Sequence, residues 1–170
     1  MSQALIRPEY RGEGDHATTH IIIVQSRWHE EITDKLCKGA LETLTAAGVP
    51  AGQIMVRKVP GAFEIPLAIQ MLLESYQPAE DYEYDDYSLG VVALGCVVKG
   101  ETPHNVHIAE NVSRVLMDIS LAQSTPVGFG IITADSIDQA RERAGGKVGN
   151  KGVDAAVAVL EMIDLLFSEE

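Results

Sequence analysis

Residues 89–98 read LGVVALGCVV, a run in which every residue is apolar or glycine. A strand with one face in water alternates apolar and polar residues, whereas a strand covered on both faces is apolar throughout. The run is also too short for a membrane-spanning helix, which needs about 20 apolar residues. It therefore predicts a buried central strand in a parallel sheet that carries helices on both faces.

Apolar segments alternate with segments of helical periodicity on both sides of this run. Further strands are predicted at His20–Val24, Ile54–Val59 and Pro126–Thr133. Helices are predicted at Glu30–Ala47, Pro66–Tyr76, 103–122, Ser136–Arg143 and Val153–Phe167. Strands and helices in alternation indicate right-handed crossovers between parallel strands. We expect an α/β protein, a three-layer α/β/α sandwich around a four-stranded parallel sheet.

The charge and composition exclude several classes of partner. The 170 residues include 13 Lys and Arg against 25 Asp and Glu, a formal net charge of −12. Nucleic acids and anionic membranes bind clustered positive charge, so neither is expected as a partner. With 46% hydrophobic residues the chain can bury the core of one domain. Residues 1–20 lack the charged-then-apolar order of a signal peptide, so we expect a cytoplasmic protein.

Three segments outside the alternating pattern have simple interpretations. Residues 1–19 are polar and aperiodic and predict an extended arm before a domain at 20–170. Cys37 and Cys96 lie in apolar runs, not in a spaced framework, so neither a metal site nor a disulfide scaffold is expected. Residues 77–87, QPAEDYEYDDY, are acidic and rich in tyrosine. They predict a solvated loop, with a recognition patch for a basic partner as the alternative.

The residues that follow the first three predicted strands point to a ligand site. In open α/β sheets ligands bind at the carboxyl ends of the strands. Those ends carry the segments SRWH at 26–29, PGAFE at 60–64 and KGETPH at 99–104. The only tryptophan, Trp28, and one of three phenylalanines, Phe63, lie there although aromatic residues make up just 5% of the chain. They indicate stacking faces for a planar ligand, or else they cover the end of the sheet.

Two segments are candidates for binding an anion. Thr102 suits the N-cap of a helix and Pro103 its first position, and the free amides at such a helix start can hold a phosphate. His104 follows directly and is a candidate base, or else a surface residue. Residues 141–151, RERAGGKVGNK, form a basic glycine-rich stretch that could receive an anion or could simply decorate a turn. Neither GxxxxGK[ST] nor GxGxxG is present, which argues against nucleotide-binding loops.

Two other classes of protein share this alternation of strands and helices. A response-regulator receiver needs an acidic pair after the first strand and an aspartate after the third, where this chain has Ser26-Arg27 and Lys99-Gly100. A flavodoxin needs a Ser/Thr/Gly-rich phosphate loop after the first strand, and SRWHEE is not such a loop. Both classes are excluded.

Five motifs together resemble one enzyme family. They are SRWH, VPGAFEIPLA at 59–68, ALGCVVKGETPH at 93–104, PVGFGIIT at 126–133 and RAGGKVGNKGVDAA at 143–156. From about residue 20 to 166 the chain resembles the 6,7-dimethyl-8-ribityllumazine synthases of riboflavin biosynthesis. The resemblance implies a flavodoxin-like sheet and a homopentamer, and it leaves a sixty-subunit icosahedral capsid open. It also implies that the arm pairs with a neighbour's sheet edge.

The implied reaction condenses 5-amino-6-(D-ribitylamino)uracil with 3,4-dihydroxy-2-butanone 4-phosphate, with no cofactor and no metal. By the same resemblance His104 is the proton-transfer residue and Trp28 stacks on the pyrimidine. The resemblance implies that the ribityl side of the substrate is lined by Ala62, Phe63 and Glu64. It also implies that the edge of the pyrimidine ring contacts Val97 and Val98. The phosphate is implied to meet Glu101, Thr102 and Arg143. Two further residues, Phe129 and Lys151, are implied to reach the site from a neighbouring subunit.

One departure from the family pattern concerns the proton-transfer residue. The family usually has an aromatic residue and then a carboxylate after its histidine, whereas this chain has Asn105 and Val106 and then His107. His107 is either a partial substitute for His104 or a residue of the helix surface. The segment at 77–87 is also longer than is usual in the family. The alternative function is therefore a weakly catalytic paralogue that binds flavin or lumazine or builds a shell.

Overall fold

A computed structural model of the protein describes residues 9, 10, 12, 14–77 and 87–167. The strands are β1 Thr19–Ser26, β2 Ile54–Val59, β3 Ser88–Val98, β4 Val127–Ala134, β5 Ala144–Gly146 and β6 Gly149–Asn150. The helices are α1 Glu30–Ala46, α2 Ile65–Ser75, α3 His104–Gln123, α4 Ile137–Glu142 and α5 Lys151–Phe167, and 3₁₀ turns lie at Ala51–Gln53 and Ala62–Glu64. The predicted α/β class and the order of its main elements are confirmed.

The main sheet has four strands in the order β2-β1-β3-β4, and all of its pairings are parallel. Strand β3 lies inside the sheet, and residues 90–97 of it are buried. The continuous apolar run at 89–98 thus occupies the central position that its composition predicts. Because the strands are parallel, β1, β2 and β3 all end at the same edge, which brings the segments after them together.

Helices cover both faces of the sheet, which gives the predicted three layers. Successive side chains of a strand point to opposite faces, and in β1 Ile21 and Ile23 belong to one core cluster while Ile22 and Val24 belong to the other. The first cluster includes Leu36 and Leu44 of α1 and Leu160 of α5. The second includes Ile65 and Ile69 of α2 and Leu116 of α3.

The basic glycine-rich stretch at 141–151 contains a short hairpin. Strands β5 and β6 pair antiparallel and form a short hairpin between α4 and α5. Gly145 and Gly149 have φ values of 105° and 99°, which side-chain-bearing residues rarely adopt. Helix α5 then begins at Lys151, two residues before its predicted start, because the Asn150 side-chain oxygen accepts hydrogen bonds from the amides of Gly152 (2.8 Å) and Val153 (3.4 Å).

The end of the predicted arm that is described packs against the domain. The Tyr10 hydroxyl lies 2.6 Å from His16 Nε2 and donates to Asp164 Oδ2 of α5 at 2.8 Å. His16 is buried, and its Nδ1 lies 3.1 Å from Thr19 Oγ1. Residues 1–8, 11 and 13 lie outside the described residues, as do residues 78–86 of the acidic segment. The pairing of the arm with a neighbour stays a prediction, and so does the role of the acidic segment.

Candidate active site

A cavity of about 630 Å³ opens at the carboxyl ends of β1 and β3. One wall comes from Trp28 and His29 after β1 and from Gly61 and the 3₁₀ turn Ala62–Glu64 after β2. The floor comes from Cys96, Val97 and Val98 at the end of β3, and the other wall from the loop and helix that follow. The three segments selected from the sequence therefore meet in one cavity, as the rule for open α/β sheets predicts.

Two exposed aromatic side chains stand at this cavity. Trp28 is 69% exposed and Phe63 is 66% exposed, and both are lining residues. The turn that presents Trp28 passes through His29, whose φ of 57° and ψ of 50° are left-handed. A residue with a side chain adopts this conformation at a cost of about 1 kcal/mol. Neither aromatic ring is covered by the described part of the subunit, so both are accessible to a planar ligand.

Glu64 closes the turn that carries Phe63. Its Oε2 accepts a hydrogen bond from the Gly61 amide at 2.8 Å, and this bond uses one of the two carboxylate oxygens. A Cβ at position 61 would lie 3.1 Å from that oxygen and 3.3 Å from Trp28 Cδ1. Gly61 therefore permits Trp28 and Glu64 to approach the same turn closely.

The floor of the cavity is apolar and almost wholly buried. Cys96 and Val97 are buried and Val98 is partly buried. Burial raises the pKa of the Cys96 thiol to about 11, so this thiol keeps its proton at neutral pH. The thiolate is the reactive form of cysteine, so Cys96 lines the cavity as an apolar group and is not a nucleophile.

Helix α3 begins one residue later than the sequence predicts. Pro103 is the N-cap, with a ψ of 16°, and its carbonyl accepts from the Val106 amide at 3.0 Å. No side chain makes a capping hydrogen bond, so the assignment of Thr102 as N-cap and Pro103 as first helical residue is wrong. The reason is that ψ at Pro103 lies outside the helical range, which leaves His104 as the first helical residue. Thr102 still lines the cavity.

One face of α3 forms the far wall of the cavity. His104, His107, Ile108 and Asn111 are lining residues at the i, i+3, i+4 and i+7 positions that share a helix face. Asn105 also lines the cavity, whereas Val106 does not and is 44% exposed. Residues two apart on a helix do not face each other. Within the subunit, position 106 therefore does not face the His104 imidazole.

Four residues expected at the site do not line this cavity of the subunit: Glu101, Phe129, Arg143 and Lys151. Phe129 is 46% exposed on β4, an edge strand of the main sheet. Arg143 Nη1 donates to the Gln139 carbonyl at 3.1 Å, and Lys151 Nζ donates to Asp154 Oδ2 at 2.7 Å. The Lys151 amide donates to the Arg143 carbonyl at 2.9 Å, so the two basic residues belong to one structural unit.

Sequence reasoning did not assign His29, Asn105, Ile108 and Asn111 to the site. Helical periodicity counted forward from His104 could have found Ile108 and Asn111, because positions i+4 and i+7 share its face. His29 belongs to the SRWH segment selected from the sequence, but its side chain was not singled out, because its place depends on a left-handed turn. Among the described residues, no group of three or more His, Cys, Asp or Glu side chains could hold a metal ion. In the same part of the chain, no helix is long and apolar enough to cross a membrane.

Comparison with known proteins identifies the family of the chain. Residues 18–166 match the family model of 6,7-dimethyl-8-ribityllumazine synthase. The chain is also 39% identical over 152 residues to a 6,7-dimethyl-8-ribityllumazine synthase of Rhodopirellula baltica. That alignment covers 89% of this chain and 92% of the relative. Because the family model matches most of the chain and the relative is 39% identical over 152 residues, the chain belongs to the 6,7-dimethyl-8-ribityllumazine synthase family.

Proposed function

We propose that the protein condenses 5-amino-6-(D-ribitylamino)uracil with 3,4-dihydroxy-2-butanone 4-phosphate to give 6,7-dimethyl-8-ribityllumazine, phosphate and water. The observation that carries the proposal is that Trp28 and Phe63 on one wall and His104 on the other line the same cavity. Family membership supports the same reaction. It does not favour the alternative of a weakly catalytic flavin-binding or shell-forming paralogue.

The pyrimidine substrate would occupy the aromatic end of the cavity. Trp28 offers an exposed ring on which the uracil can stack. Val97 and Val98 would contact the edge of the ring through their backbone. Ala62, Phe63 and Glu64 would lie along the ribityl chain, with the Glu64 carboxylate accepting hydrogen bonds from its hydroxyls. Glu64 can do so while it holds the Gly61 amide, because a carboxylate has two oxygens.

The butanone phosphate would bind near the start of α3. Thr102 lines the cavity just before the helix, and Glu101 precedes it. Helix starts hold phosphates through free amides and a positive dipole end. Arg143 would bind the same phosphate through charge-assisted hydrogen bonds. His104, the first residue of α3, would transfer protons between the reacting groups.

Part of the site would come from a second copy of the chain. Arg143 and Lys151 are joined by a backbone hydrogen bond, and with Phe129 they lie outside the cavity of their own subunit. We propose that these residues complete the cavity of a neighbour in a homopentamer, either free or as part of a sixty-subunit icosahedral capsid. Sedimentation at micromolar concentration tests this part, because a strictly monomeric protein would contradict it. A cytoplasmic location remains a proposal based on composition.

Catalysis would depend mainly on holding two reactive molecules together. An amine and a ketone condense without a metal or cofactor, so orientation supplies a large part of the advantage and can contribute several kcal/mol. General acid–base catalysis by a placed histidine adds roughly 10²- to 10⁴-fold. Arg143 would stabilise the phosphate as it leaves.

The experiment that tests the function mixes both substrates with the protein and follows the absorbance of the lumazine product. The expected result is a rate well above the uncatalysed reaction, with saturation in both substrates. A rate equal to that of the uncatalysed reaction would overturn the proposed function. Omission of either substrate is the control, since each omission should abolish the signal.

A further inference from the structure

Two imidazoles lie one helical turn apart on the wall of the cavity. His104 and His107 are three residues apart in α3, a spacing at which Cβ atoms are about 5–6 Å apart. Both side chains are exposed in the subunit and both line the cavity. Val106 lies between them in sequence but does not line the cavity. The helix thus directs both histidines and Asn105 toward the cavity and Val106 away from it.

The His107 side chain has no other evident task. Its backbone carbonyl accepts a hydrogen bond from Asn111 Nδ2 at 2.8 Å, which supports this turn of the helix. Among the described residues, its imidazole makes no hydrogen bond or ion pair with the protein. Exposure also excludes a packing role in the core. Both ring nitrogens therefore remain for a ligand.

The condensation moves protons at several separate steps. The uracil amine adds to the ketone of the butanone, and water leaves as the C=N bond forms. A base then removes the proton from the carbon next to this imine, and the bond between carbon and the phosphate oxygen breaks as phosphate leaves. The resulting enol gains a proton on its terminal carbon and becomes a methyl ketone. The ribitylamino nitrogen closes the ring on that ketone, and a second water leaves.

The other titratable groups of the cavity are poorly placed for these transfers. Glu64 is bound to the Gly61 amide in the opposite wall. Burial raises the pKa of Cys96 to about 11, so its thiol does not exchange protons near neutral pH. His29 lies beside Trp28, with ring centroids 6.5 Å apart, on the wall across from α3. Among the described residues, His104 and His107 are the two imidazoles that share the wall formed by α3.

We propose that His107 is a second proton-transfer residue of the condensation and that it shares the acid and base steps with His104. The proposal rests on the proposed function. With two imidazoles in one cavity, one can accept a proton while the other donates one, so that neither must exchange with solvent between steps. This arrangement also means that neither histidine alone is indispensable.

The test compares His104→Ala, His107→Ala and the double variant with the parent, with and without added imidazole. We expect His107→Ala to lower kcat about 10- to 100-fold, with both KM values within about twofold of the parent. Added imidazole should restore much of the lost rate, because a small base can enter the space left by the side chain. The double variant should be slower than either single variant. Ser113→Ala is the matched control on the same helix, since Ser113 is exposed outside the cavity.

Two results would overturn the inference. One is a kcat of His107→Ala equal to that of the parent, and the other is a loss of rate that added imidazole does not restore. If His107→Ala does not fold, His107→Gln replaces it and is judged by its kcat alone, because the glutamine side chain fills the space that imidazole would enter. A parent protein no faster than the uncatalysed reaction would instead overturn the proposed function. The results with the His107 variants therefore count against the inference only when the parent protein is active.

Discussion

Replacing Trp28 by alanine should weaken binding of the pyrimidine substrate and leave the fold intact. The side chain is 69% exposed and belongs to neither core cluster, so the change in unfolding free energy should stay within about 0.5 kcal/mol. The loss of stacking on a base is worth about 1–3 kcal/mol. At 1.4 kcal/mol for each factor of ten, this predicts a rise of about 5- to 150-fold in the KM for the uracil.

The assay varies the uracil at a saturating concentration of the butanone phosphate and then reverses the two. The KM for the butanone phosphate should stay within about twofold of the parent value, because the Trp28 ring is expected to contact the uracil and not the butanone phosphate. Trp28→Phe is the matched control and should recover most of the affinity, since it keeps a stacking face. An unchanged KM for the uracil in Trp28→Ala would refute the placement of the pyrimidine, and so would an equal loss in Trp28→Phe.

Three further predictions concern the phosphate, the alkaline limit and helix packing. Arg143→Ala should raise the KM for the butanone phosphate about 10- to 150-fold, because a charge-assisted hydrogen bond is lost. The KM for the uracil should stay nearly unchanged. The reverse pattern in steady-state kinetics would assign Arg143 to the uracil. Burial raises the pKa of the Cys96 thiol from 9.0 to about 11. The buried neutral thiol therefore contributes fully to the free energy of unfolding below pH 9, and this contribution is lost as the pH rises to 11. In urea unfolding, the free energy of unfolding of Cys96→Ala should therefore fall less between pH 9 and pH 11 than that of the parent. An equal fall in both proteins would contradict this role of Cys96. Gly152→Ala should cost about 1–3 kcal/mol in the same assay, because its Cβ would clash with the Leu36 carbonyl oxygen. Gly52→Ala should cost far less, because a Cβ at position 52 would have no atom within 4 Å.

The sequence was most informative where one physical requirement decides the residue types. A strand covered on both faces must be apolar throughout, and this alone identifies β3 and its central place in the sheet. Helical periodicity likewise predicts α1 to within one residue at its end. The start of α5 could not be predicted in this way, because it depends on two amides that bond to the Asn150 side chain.

The candidate site was predictable in part. Trp28, Phe63 and His104 follow strands whose ends must meet, so the sheet topology alone brings them together. The turn at Glu64 depends on one side-chain hydrogen bond, which composition does not reveal. Arg143 and Lys151 are a different case, because their place in the proposed site depends on a second copy of the chain. The pattern of strands and helices in one chain does not show where a second copy binds.

The cavity between Trp28 and His104 is proposed to bind the reacting pyrimidine, and a crystal structure of the protein soaked with 6,7-dimethyl-8-ribityllumazine tests this placement. The bicyclic ring should stack on Trp28 and lie along Val97 and Val98, with its ribityl chain directed toward Glu64. Product bound elsewhere, with this cavity empty, would show that the site is wrongly assigned.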